Sequence, residues 1–143
     1  MFSFWGKEMI RILHFLSTDG SFLFENYDCR IVDSRYVHTF GGTGSVKLRY
    51  RCVDLLFWLE RDLLFLDFQA AGSKSKKSWY SLDIVMQLLT GVAHDTSRMD
   101  PENVTLLNNN LDAITNRFTK SKLVATEVAC KKYKLVRSKR LFG

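Results

Sequence analysis

The residues of this chain that could do chemistry are three imidazoles, three thiols and one group of carboxylates. His14, His38 and His94 match no zinc-ligand spacing, and Cys29, Cys52 and Cys130 offer no C-x-x-C pair to complete one. No metal or cofactor is expected. An odd number of well-separated thiols reads as reduced cysteines serving as small core fillers, as in a cytoplasmic protein. His14 falls on or near the apolar face of a first helix and is expected to pack there. Asp95 follows His94 and could orient its ring, but a general base needs a nucleophile, and no G-x-S-x-G motif accompanies it. No catalytic signature emerges, and enzymatic activity is not the expectation.

Asp54, Glu60, Asp62 and Asp67 gather around two apolar runs. Paired carboxylates can do acid–base or metal work, but acids at strand ends are commonly solvated. Glu60, Arg61 and Asp62 read as the charged tip of a hairpin, a rigidly mounted element that a partner protein can use for recognition. The glycine-rich stretch 41–45 lacks the lysine of a phosphate-binding loop and leads into a strand, so it is expected to be a flexible connection. Trp79 and Tyr80 follow Lys74, Lys76 and Lys77, a basic loop beside aromatics that suits phosphate contact and base stacking. Closing the core at the start of a helix is the expected role of both aromatics.

The elements that must carry these residues can be read from periodicity. Met9, Ile12, Leu13 and Leu16 step by three and four and predict a helix over about 4–17. Residues 30–37 read as a strand. From Val46 the alternation of Val46, Leu48, Tyr50 and Cys52 with Lys47, Arg49 and Arg51 predicts a half-buried strand with a basic outer face. Residues 53–59 and 63–69 read as two central strands joined by a tight turn, which must be covered on both faces. Ser81 and Gly91 bracket a helix, and Asp100-Pro101 is a cap followed by proline at the first helical position. Behind it Val104, Leu107, Leu111, Ile114 and Phe118 mark a helix to about 118. The last helix, about 121–139, has Val124, Val128, Leu135 and Val136 on one side and lysines on the other. The fold class is therefore α+β: an antiparallel sheet of three to four strands over about residues 30–69, covered by an N-terminal helix and three C-terminal helices.

The chain of 143 residues fits one domain, 1–143, with 46% hydrophobic and 25% charged residues, so disordered and disulfide-scaffold classes are excluded. No leader is expected. The most apolar stretch, 53–68, carries five charges and is not expected to span a membrane. The net charge of +6 is uneven: residues 119–143 hold eight cations against Glu127, and the rest of the chain is nearly balanced. That basic C-terminal helical segment, about 121–143, reads as a solvated helix face or as an anion-binding patch.

Some longer runs carry a resemblance. Residues 28–34, Phe40 and Gly41, the run 55–69 centred on Glu60-Arg61-Asp62, Trp79-Tyr80 leading into Asp83, Ile84 and Val85, and Leu88, Leu89 and Gly91 resemble a family of small uncharacterised bacterial α+β proteins. Some proteins of this appearance resemble immunity proteins, which neutralise toxin domains. The resemblance implies binding of a partner protein without chemistry. The basic C-terminal segment departs from the acidic character common in nuclease inhibitors, which leaves other toxins as the implied partners.

Two readings follow. The first is a non-enzymatic protein-interaction module in the cytoplasm, using Glu60, Arg61 and Asp62 among the charged strand ends and loops around residues 28–45 and 60–78. The alternative is a nucleic-acid-binding protein using Lys131, Lys132, Lys134, Arg137, Lys139 and Arg140 together with Lys74, Lys76 and Lys77. A homodimer through the last helix is compatible with either.

Overall fold

A computed structural model describes residues 6–37, 43–73 and 79–142. Five strands form one antiparallel sheet in chain order: β1 (Arg30–Val37), β2 (Thr43–Tyr50), β3 (Val53–Glu60), β4 (Leu63–Ala70) and β5 (Tyr80–Ser81). The helices are α1 (Gly6–Ser17), the single turn α2 (Phe22–Glu25), α3 (Leu82–Thr90), α4 (Pro101–Arg117) and α5 (Leu123–Phe142). The architecture is α+β, with one more strand than the sequence suggests. Only Tyr80 and Ser81 pair with Phe68 and Asp67 before α3 begins, too short a stretch to show alternation.

The period-2 pattern sorts the sheet into two faces. Val46 and Leu48 of β2, Val53, Leu55, Phe57 and Leu59 of β3, and Leu66 and Phe68 of β4 point into the core, with Met9, Ile12 and Leu16 of α1 and Leu107, Leu111 and Ile114 of α4. Thr43, Gly44 and Ser45 belong to β2 rather than to a loop; Gly41 and Gly42 lie outside the described residues. At Gly44 the α1 backbone comes close to the sheet: a Cβ built there would stand 3.4 Å from the Met9 backbone nitrogen. A glycine in a strand commonly marks such an approach.

The opposite face carries Lys47, Arg49, Asp54, Trp58, Phe65 and Asp67, and its central aromatics are half-buried rather than sealed beneath a helix. Here Arg49 donates twice to Asp54, at 2.7 and 3.1 Å, across the register pair of β2 and β3. Asp54 is only 1% exposed, so this bidentate pairing is what makes a carboxylate tolerable there. The basic outer face expected of β2 is thus partly neutralised within the sheet.

Turn and cap chemistry fix the remaining geometry. Arg61 and Asp62 both adopt positive φ, 51° and 66°, and connect β3 to β4 as a two-residue primed turn. That geometry matches the sheet's twist although neither glycine nor asparagine is present. Asp100 caps α4 by accepting from the Asn103 backbone amide at 2.9 Å, with Pro101 behind it. Cys29 and Cys130 are buried free thiols and Cys52 is half-buried. Burial pushes the Cys29 and Cys130 thiols up to about 12, so both keep their protons near neutral pH.

Candidate interaction surfaces

The hairpin tip is tied to the first helix. Arg11 on α1 donates to the Asp62 carboxylate at 2.7 Å and to the Asp62 carbonyl at 3.2 Å, bridging the end of the sheet. Beneath this bridge lies a groove of about 610 Å³ with Phe15, Leu59, Leu64 and Met99 in its walls. Ile10 and Leu63 stand exposed at its rim beside Asp19 and Arg98. Backbone pairing holds the far wall: the Met99 amide donates to the Leu64 carbonyl at 2.8 Å, and Arg98 bridges Phe65 as an extra edge segment. Of the three tip residues singled out in the sequence, Asp62 lines the groove, while Glu60 and Arg61 stand exposed at its end. Arg11, Leu63 and Met99 come from three distant parts of the chain, and no local spacing announces their meeting.

His14 does not pack into the core. It sits exposed on α1 and lines the same groove, because Met9, Ile12 and Leu16 define the buried stripe and the ring points away from it. His94 is structural instead. Its Nε2 lies 2.9 Å from the Oδ1 of buried Asn103, whose amide nitrogen donates to the Thr96 and Arg98 carbonyls. Those donations orient the amide, so Nε2 of His94 carries the proton and holds the 94–100 segment against α4. His38 lies outside the described residues.

A second concavity, about 310 Å³, opens where β4, β5 and α5 meet. Trp58 and Phe65 stack with centroids 4.6 Å apart, and the Trp58 indole nitrogen donates to Asp67 at 3.1 Å. Burial pushes the Asp67 carboxyl up to about 6; the Trp58 bond opposes this, nearby Asp83 adds to it, and Lys134 and Arg137 oppose it further. The two aromatics expected to close the core divide here. Tyr80 is buried, whereas Trp79 lines this concavity with Lys47 5.9 Å from its ring centroid.

The last helix faces the other way from the sequence expectation. Thr126 and Cys130 are buried and Leu123 and Tyr133 pack against the core, while Val124, Val128, Leu135 and Val136 are exposed. Its cations divide accordingly. Lys134 donates to the Trp79 carbonyl at 3.2 Å, and Arg137 pairs with Asp83 at 2.7 Å. Lys131, Lys132, Lys139 and Arg140 are exposed. Two of the six α5 cations named for nucleic-acid contact are therefore engaged internally, and Lys74, Lys76 and Lys77 lie outside the described residues.

Among the described residues, no cluster of three or more His, Cys, Asp or Glu could hold a metal ion, and no helix is long and apolar enough to cross a membrane. An α+β protein with a five-stranded antiparallel meander, a rimmed apolar groove and a basic flanking helix is the class these features define. No protein-family model, curated protein or solved structure matches the chain.

Proposed function

We propose that this chain is a non-enzymatic protein-interaction module that binds, and in the manner of an immunity protein neutralises, a partner protein in the cytoplasm. The observation that carries this reading is the groove under the Arg11–Asp62 bridge. It combines an apolar floor with exposed Ile10 and Leu63 and a charged rim, the anatomy of a protein-binding hot spot. Its occupant is a loop of the partner that seats one large apolar side chain against Phe15, Leu59 and Met99. The turn at Arg61 and Asp62 presents the rim rigidly, so little ordering entropy is lost on binding. Free, protonated cysteines fit a reducing compartment.

The test is site-specific photocrosslinking in source cells, with a photoreactive residue at Leu63 or, as a control, at Glu102 on the exposed side of α4. A discrete protein adduct at position 63, absent at 102 and lost when Ile10→Asp is added, supports the reading. Equal adducts at both positions, or none at position 63, overturn it.

A further inference from the structure

We propose that the outward face of α5 is a docking seam for an acidic amphipathic helix of a partner protein. Val124, Val128, Leu135 and Phe142 are 75%, 65%, 65% and 87% exposed. Their spacings of four, seven and seven residues keep them within about 40° of one another on the helix, in a line about 27 Å long. The line lies opposite Thr126, Cys130 and Tyr133, which pack inward, so the domain's own core does not use it. Large apolar side chains repeating along an exposed helix mark an interaction surface.

Charge selects the occupant. Glu127, the one acid in residues 119–143, points inward, with its Oε2 3.5 Å from the Tyr80 hydroxyl. Lys134 and Arg137 are also held inward. Lys131 stands in the seam and Lys132 and Lys139 stand beside it, all exposed. A second copy of α5 would bring like charges together, which disfavours self-pairing. A membrane-lying helix needs a broad unbroken apolar face, whereas Lys132 and Lys139 stand between this seam and exposed Val136, and Lys131 interrupts it between Val128 and Leu135. A narrow heptad line with one lysine in the seam and cations beside it is the pattern by which a helix selects an acidic helical partner. The surface is separate from the groove at the hairpin tip, so its failure would leave the proposed function standing.

The test uses the full chain and a synthetic peptide of three heptads, with leucine at positions a and d and glutamate at e and g. Binding is followed by NMR. The peptide is expected to shift the methyl signals of Val124, Val128 and Leu135. A peptide of equal charge with its leucines scrambled off the seam should bind at least about tenfold more weakly. The exposed pairs Val128→Asp with Leu135→Asp, and Lys131→Glu with Lys139→Glu, should each lower affinity by about tenfold or more while the unfolding midpoint holds. Equal binding of the scrambled peptide, absence of binding, binding only to vesicles containing phosphatidylglycerol, or a dimeric mass in sedimentation would each overturn the proposal.

Discussion

Arg137 donates to the buried Asp83 carboxylate at 2.7 Å and to the Ser81 hydroxyl at 2.9 Å, clamping the second half of α5 to the start of α3. The clamp lies on the side of α5 that buries Thr126 and Cys130. Arg137→Ala leaves the buried Asp83 carboxylate without its cation, and the expected cost is about 2 kcal/mol by urea unfolding. Adding Asp83→Asn removes the stranded charge and should recover part of that loss. A double variant as unstable as the sum of its parts would show that the two residues do not act as a pair.

Asp67 makes stability depend on pH. Its folded pKa of about 6 lies above the ordinary aspartate value of 3.8, so between those values the folded state holds a proton that the unfolded chain has released. Stability from this group is therefore full below that window and falls as pH rises through it, by an amount on the order of 2–3 kcal/mol. Asp67→Asn keeps an acceptor for the Trp58 indole and removes this part of the slope. Denaturation from pH 4 to 8 should show the variant at least as stable as the parent above pH 7; a clear loss there would reverse the sign.

The turn at Arg61 and Asp62 stores a small strain, since neither side chain favours positive φ. Arg61→Asn should raise stability by about 0.5 kcal/mol, and Arg61→Val should lower it by about 1–2 kcal/mol. Thermal unfolding of the two variants checks that order.

Asp100 caps α4 through one hydrogen bond, and Asp100→Ala is expected to cost about 1 kcal/mol, whereas Asp100→Asn should stay close to the parent. An equal loss for both would mean that the charge, rather than the cap bond, is what α4 requires.

Much of the fold was legible because its signals are local. The alternation from Val46 to Tyr50, the two apolar runs flanking Arg61 and Asp62, and the Asp100-Pro101 start all became the elements they suggest. The orientation of α5 was not legible. The helix carries two candidate inward stripes, one through Leu123, Cys130 and Tyr133 and another through Val124, Val128 and Leu135, and periodicity cannot choose between them. The stripe that faces inward also carries Arg137, which pairs with Asp83, a partner 54 residues away. The candidate site was legible only at the hairpin tip. Arg11, Leu63 and Met99 reach the groove through tertiary packing, and His14 reads as a core residue until Met9, Ile12 and Leu16 are seen to fill that role.

The most direct measurement of protein binding through the groove is affinity capture by the tagged chain from source-cell lysate, at low and high salt, with and without nuclease. The account predicts a stoichiometric protein that survives both treatments and is lost from a variant carrying Ile10→Asp and Leu63→Asp, whose side chains are exposed and whose fold should persist. Nucleic acid that leaves at high salt, or a protein that the variant retains equally well, would contradict it.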